Sequence, residues 1–335
     1  MENIPPASPP RRAVLATALA AMASPFASTH SQAAGSPAWP TRPLRIVVGF
    51  PGGSSPDLTA RTFADPLAKA LGQPVVVENR VGAGGNIAAD IVAKATDSHT
   101  IGLMINGNMT ISRLLNARVP YDPLTDLQPI SLIGVSPLVL AAPQHAPGAD
   151  AHAFLDAARA EGDGWSYGSP GVGTVGHIGM ELLKARTGIQ PVHVPYPGYS
   201  QVANAMIAGE LQLALLPPAL ALAQARAGKL RAIGVTAGSR STLAPELASL
   251  AEAGVRDFNL EIWNAAAAPA AMPRALVARL SALFVEISRN SDIRTKLFQQ
   301  GWQTVGSNAE GLANRIEADT AVLGQVIREQ GLRAQ

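Results

Sequence analysis

The sequence predicts an α/β protein with two α/β units and a helical C-terminal region, and three observations carry that prediction. Runs rich in β-branched residues alternate with amphipathic helical stretches, the runs are almost continuous in apolar residues, and glycine- and proline-rich turns separate run from helix. Near-continuous apolar strands alternating with helices are the pattern of a parallel sheet covered on both faces. Hydrophobic residues make up 47% of the 335-residue chain and charged residues 15%, a composition that packs cores and excludes a disordered chain. At ~150 residues per domain, that length suits about two domains.

Leu44-Arg45-Ile46-Val47-Val48-Gly49-Phe50 reads as the first strand and stops at Pro51-Gly52-Gly53. A helix is expected over 56–70, with Leu58, Phe63, Leu67 and Leu71 on one face. A second strand over 74–79, a helix over 86–95 and a third strand over 101–106 follow. The second unit begins near residue 150, with strands at 165–168 and 192–194 and helices from about Thr174 and Ser200. Further strands are expected at 211–215 and 230–235, and the chain from Pro273 onward reads as helical. Such a pattern fits two consecutive domains, and equally two lobes between which the chain crosses more than once. The stretch 130–142 is long for one strand, has no strong breaker before Pro143, and is a candidate for such a crossing. Apart from an alanine-rich segment near the N-terminus and another over 265–271, nothing is low-complexity.

The chain contains no cysteine, which excludes disulfides, thiolate metal sites, iron–sulfur clusters and a cysteine nucleophile. A net charge of +2 is far too small for a protein that works by neutralising phosphates, so no nucleic-acid partner is expected. Arg11-Arg12 precede the uncharged apolar run 13–23 and then Ser31-Gln32-Ala33-Ala34-Gly35, the layout of an export signal over residues 1–33. The run is short of the ~20 residues that span a bilayer, so the protein is expected in the periplasm and not embedded in the membrane. The paired arginines resemble a twin-arginine signal, although the residues usual around the pair are mostly absent.

Open α/β sheets bind ligands at the carboxyl ends of their strands, and two strand-to-helix loops stand out. One is Pro51-Gly52-Gly53-Ser54-Ser55-Pro56-Asp57 and the other Gly168-Ser169-Pro170-Gly171-Val172-Gly173-Thr174. Each helix start offers unpaired N–H groups and about half a positive charge, a site for a carboxylate or phosphate. Either loop alone also reads as an ordinary glycine turn; the same chemistry in both units favours a ligand clamped between them. Gly171-x-Gly173-x-x-Gly176 matches a dinucleotide fingerprint, but residues 192–202 lack the acidic ribose partner, which argues against a nucleotide cofactor. Asp57 is a catalytic acid or, more in keeping with its first-turn position, a residue that complements the helix dipole. His177 is an anion donor or a capping and packing residue, Asn106 and Asn108 are ligand donors or turn residues, and Trp263 reads as core. His145 and His152 have no carboxylate at ligand spacing, so no metal is expected. Ser169 lacks the glycine two residues earlier that a nucleophile elbow needs.

Pro51-Gly52-Gly53-x-x-x-Asp57, the run 72–80 leading into Gly82-Ala83-Gly84-Gly85-Asn86, and Pro120-Tyr121-Asp122-Pro123 are joined by further landmarks. These are Gly173-Thr174 with His177 and Glu181, Val194-Pro195-Tyr196 with Gly198, and Ala227-Gly228-Lys229-Leu230-Arg231-Ala232. In this order the chain from Trp39 onward resembles the Bug family of extracytoplasmic solute receptors, the binding components of tripartite tricarboxylate transporters. The resemblance implies a two-lobed periplasmic-binding-protein-like fold with hinged lobes and a ligand cleft between them. Lobe 1 is then expected over 40–142 plus 262–335 and lobe 2 over 143–261. It implies that Gly53, Ser54 and Ser55 from one lobe and Ser169, Gly173 and Thr174 from the other hold a small carboxylate, with Asp57, Asn106, His177 and Tyr196 completing the expected site. A Thr174→Ala change is then expected to weaken carboxylate binding by about 1–2 kcal/mol.

Ala205, Pro197 and Leu216-Pro217-Pro218 depart from the residues usual in that family, which implies a more apolar far end of the pocket and a ligand with one carboxylate and an apolar or aromatic body. The expected function is capture of that carboxylate and delivery to membrane permease subunits, by a monomer without cofactor. The alternatives are a secreted hydrolase or lyase on the same scaffold, and a ligand sensor for a signalling partner.

Overall fold

In the first element of the structure, a computed structural model, β1 (Leu44–Val48) runs out at Pro51-Gly52-Gly53. The structure describes Met1, residues 39–329, and residues 331 and 332; the expected export signal beyond Met1 lies outside the described residues. Pro56 starts α1 (Ser55–Leu71) without wasting a donor, and left-handed Gly72 ends it with its N–H on the Ala68 carbonyl. Phe63, Leu67 and Leu71 are buried as the periodicity predicts. Leu58 is instead 38% exposed, because it faces a cavity.

β2 (Val75–Asn79), α2 (Asn86–Ala93) and β3 (Thr100–Ile105) follow. Beyond β3 the chain does not turn loosely: Asn106 leads a π-helical turn, Gly107–Ile111, into α3 (Ser112–Leu115). Next come β4 (Leu127–Pro137), β5 (Val139–Pro143), α4 (Ala151–Ala160), β6 (Ser166–Ser169) and α5 (Val175–Thr187). β7 (Val192–Pro195), α6 (Tyr199–Ile207), β8 (Leu213–Leu216), α7 (Pro218–Arg226) and β9 (Leu230–Val235) complete the middle of the chain. The remainder is β10 (Glu261–Pro269), α8 (Arg274–Arg289), α9 (Ser291–Gln299), β11 (Gln303–Thr304) and α10 (Ala309–Glu329).

The strands form two sheets, one ordered β11-β4-β10-β3-β1-β2 and the other β7-β6-β8-β5-β9. Neither is purely parallel as expected. β10 lies antiparallel between β3 and β4, and β5 antiparallel between β8 and β9. The reason is connectivity: β4 leaves the first sheet running in the same direction as β1 and β3, and β10, which returns from the second sheet, runs opposite to all three. β10 also contains the alanine run, which has no β-branched residue to mark it as a strand. Ala265, Ala266, Ala267 and Ala268 are all at most 1% exposed, so burial on both faces of a central strand makes them strand residues.

The stretch 130–142 does cross between sheets, but as two strands that meet at Leu138. The change of sheet therefore falls at Leu138, earlier than the expected boundary after residue 142, because β5 pairs wholly within the second sheet. The return crossing uses 236–260. Thr236, fully buried, ties the two crossings together: its hydroxyl accepts the Leu138 N–H at 2.8 Å and donates to the Leu260 carbonyl at 2.6 Å. Its backbone bonds both residues as well, N–H to Leu138 O at 2.8 Å and carbonyl to Leu260 N–H at 3.0 Å.

Candidate solute-binding site between the two sheets

A cavity of about 290 Å³ lies where helix starts from the two sheets converge. Ser54 and Ser55 bring the N-terminus of α1, Thr174 and Val175 that of α5, Gly198 and Tyr199 that of α6, and Pro217 that of α7. The lining residues, all from the described chain, include no Asp, Glu, Lys, Arg or His. Its remaining wall is largely Phe50, Leu58, Ile105, Leu220, Ile262, Trp263 and Trp302. An anion here meets backbone dipoles and hydroxyls in an apolar surround, where such dipoles act with little screening.

The expected residues divide on inspection. Gly53, Ser54, Ser55, Asn106 and Thr174 line the cavity. Asp57, Ser169 and His177 do not, and Gly173 and Tyr196 line a second, neighbouring cavity of about 540 Å³. Asp57 is 1% exposed and fully engaged: its carboxylate accepts from Gly53 N–H at 2.8 Å, Arg61 at 2.9 and 3.0 Å, and Asn79 at 2.9 Å. Burial alone would raise its pKa, but the Arg61, Gly53 and Asn79 hydrogen bonds outweigh it and hold the carboxyl below the usual range. Asp57 therefore braces the first loop from behind, and the roles of catalytic acid and of ligand contact are both set aside.

The second loop is braced differently. The Ser169 hydroxyl, wholly buried, lies 2.7 Å from His193 Nε2 and 3.2 Å from both the N–H and the carbonyl of Gly171. His193 is stacked between Tyr167 and His177, with ring centroids 4.8 and 4.4 Å away. Burial, with His177 and Lys184 adding to it, pushes the His193 pKa down to about 3. Burial also lowers that of His177, Glu181 opposing and Lys184 reinforcing. His177 Nδ1 accepts the Gly173 N–H at 3.4 Å, so His177 packs and caps behind the loop. The Ser169–His193 pair has the spacing of a nucleophile and base, but Ser169 lines neither of these two cavities and its hydroxyl holds the loop together.

The Thr174 hydroxyl donates to the Gly171 carbonyl at 2.7 Å, and the residue lines the first cavity. Tyr196 lies at the edge of the second cavity with its hydroxyl 3.5 Å from Glu210. Asn108 supports the loop opposite, its amide donating to Gly84 O and Asn86 Oδ1 at 3.0 Å each. The apparent dinucleotide fingerprint has a different use. A Cβ on Gly107 would lie 2.6 Å from the Gly173 carbonyl oxygen, and one on Gly171 would lie 3.0 Å from Gly84 Cα. Backbone meets backbone between the elements of the two sheets, and only glycine allows that approach.

Sequence reasoning did not find Tyr199, Asn264, Gln300 or Trp302 on the wall, and it read Trp263 as core. Trp263 is both: fully buried, with Nε1–H donating to Asp319 at 2.7 Å, and one edge on the cavity. Nothing local marks Asn264, Gln300 or Trp302, because β10 and the turn after α9 reach the cavity only by tertiary return; Tyr199 enters with the start of α6. Ala205, one of the departures from the family pattern, packs in the core of the second sheet and does not reach the wall; Pro217 does.

Two sheets linked by crossings, with helix starts aimed into an uncharged cavity between them, have the architecture of a solute-binding receptor. Residues 59–332 match the tripartite tricarboxylate transporter family receptor, and the chain belongs to that family. It is 35% identical over 326 residues to the protein of the tcbD-tcbE intergenic region of Pseudomonas sp. (strain P51), covering 97% of this chain and 96% of that one. A Rhodopseudomonas palustris protein solved with adipate superposes with a TM-score of 0.83 at 30% identity, covering 88% of this chain and 99% of that one. MatC from the same organism, solved with bound malate, gives a TM-score of 0.81 at 28% identity, covering 86% and 99%. Among the described residues no helix is long and apolar enough to cross a membrane.

Proposed function

We propose that this protein is a periplasmic receptor that captures a small carboxylate with a single anionic end and hands it to membrane permease subunits. The observation that carries this reading is the uncharged wall onto which four helix N-termini open. One carboxylate is well served by the starts of α1 and α5. A second charged end, surrounded by apolar side chains and without a cationic partner, would carry a desolvation penalty. Ser54, Ser55 and the Val175 N–H are the groups best placed for the carboxylate. Gly53 and Thr174 shape the loops, and Ser169, Asp57 and His177 hold them from behind.

The two sheets act as lobes that move about Leu138 and 236–260, with Thr236 as the shared pin. Export is assigned to residues 1–33, with Arg11-Arg12 as a twin-arginine element, and the receptor works as a monomer. Isothermal titration of the purified receptor against monocarboxylates, dicarboxylates and tricarboxylates of matched length is expected to give the tightest binding among monocarboxylates. Tightest binding to a tricarboxylate would overturn the single-anion reading. Mass spectrometry of the small molecule released on denaturation gives an independent identification.

A further inference from the structure

Among the described residues, five buried side-chain atoms of residues that line the cavity have no hydrogen-bond partner: Ser54 Oγ, Asn106 Oδ1, Asn264 Oδ1, Gln300 Oε1 and Trp302 Nε1. Buried polar groups are normally satisfied, so a cluster of unsatisfied ones around one cavity points to what the cavity takes. Asn106, Asn264 and Trp302 are each at most 2% exposed.

Hydrogen-bond logic fixes which end of each amide is free. Thr59 donates its only hydroxyl proton to the Ser55 carbonyl at 3.0 Å, so it must accept from Asn264 Nδ2 at 2.9 Å. Thr62 donates to the Leu58 carbonyl at 2.8 Å and likewise accepts from Gln300 Nε2 at 3.0 Å. Asn106 Nδ2 donates to the Glu261 carbonyl, which can only accept, at 3.0 Å. In all three residues the nitrogen is anchored and the oxygen is left unpartnered. The wall thus presents three acceptors, with one N–H donor at Trp302.

Resting on the carboxylate reading above, we infer that the ligand carries one or more hydroxyl groups on its body, which donate to the amide oxygens of Asn106, Asn264 and Gln300 and accept from Trp302 Nε1. A second carboxylate offers these oxygens only further acceptors. An ammonium would donate, but it would be buried without a counterion, whereas a hydroxyl both donates and accepts at no charge cost. The three amides are specificity-determining residues: α1, which also supplies the carboxylate grip, holds Asn264 and Gln300, and β10 holds Asn106.

The test is calorimetry on the whole receptor with hexanoate, 6-hydroxyhexanoate, 6-aminohexanoate, adipate, benzoate and 3,4-dihydroxybenzoate. The expected result is at least tenfold tighter binding of the hydroxylated member in one or both of the pairs hexanoate/6-hydroxyhexanoate and benzoate/3,4-dihydroxybenzoate, with adipate weaker than 6-hydroxyhexanoate. In Asn264→Leu and Gln300→Leu the hydroxylated-to-plain ratio should fall toward one, a change that a purely structural role would not produce. Equal binding within both pairs, or tighter binding of 6-aminohexanoate, overturns the inference and leaves the carboxylate reading standing; tighter binding of adipate overturns the inference together with the single-anion reading. If no acid in the panel binds, the carboxylate reading fails and this inference with it.

Discussion

The loop before α1 and the loop before α5 are near twins in sequence and close relatives in geometry. In each, a left-handed glycine precedes the N-cap, and its N–H bonds back to the side chain four residues on: Gly53 to Asp57 and Gly173 to His177. The bond lengths separate them. The first is 2.8 Å to an ionised carboxylate that Arg61 and Asn79 also hold, and the second is 3.4 Å to a neutral imidazole. Charge-assisted hydrogen bonds are shorter and about twice as strong as neutral ones, so the first loop is the stiffer jaw. The second is held by a stack of aromatic and imidazole rings whose neutrality depends on pH. The same local design thus yields one rigid jaw and one that yields more easily.

The largest expected effect is on the rigid side. Asp57→Ala strands the Gly53 N–H and the partly solvated Arg61 and should lower unfolding stability by about 2 kcal/mol in urea titrations. Next, Gly107→Ala places a Cβ against the Gly173 carbonyl and should weaken ligand binding about tenfold, near 1.4 kcal/mol, with little loss of stability. Unchanged affinity would show that the glycine contact does not control how the two sheets meet. His177→Asn removes a long neutral bond and should cost about 1 kcal/mol, less than Asp57→Ala. Equal costs for the two would break the contrast between the jaws.

The smallest effect near neutrality is the pH response. The lowered His177 and His193 pKa values mean that the unfolded chain takes up protons first as pH falls below 6.5, so stability is full above that value and declines from there toward about 3. Asp57 contributes stability above 3.8 that is lost only as pH falls through its lowered value. Between pH 7 and 5 the melting temperature should therefore drop through the second loop. His193→Gln should flatten that slope and Asp57→Asn should leave it in place.

What could be read from residues was what local chemistry decides. The β1 and β3 strands, α1 with its proline start and glycine stop, and both glycine loops follow from patterns a few residues long. β10 escaped because alanine has no strand preference of its own, and its strand character comes from neighbours on both sides. Asp57 and His177 were legible as first-turn residues but not as braces, since their partners depend on how the loop doubles back. Gln300 and Trp302 carried no signal, because they lie far along the chain from the two glycine loops.

The sequence by itself determined two helix starts rich in glycine and hydroxyls with the chemistry to receive an anion, since φ preferences and unpaired N–H groups are properties of short segments. Only the tertiary structure decided which of those groups remain free for a ligand, which are used to hold the loops, and which amide oxygens complete the wall. Hydrogen bonds are exclusive, and a donor's availability is fixed only when every competing acceptor has been brought to its place.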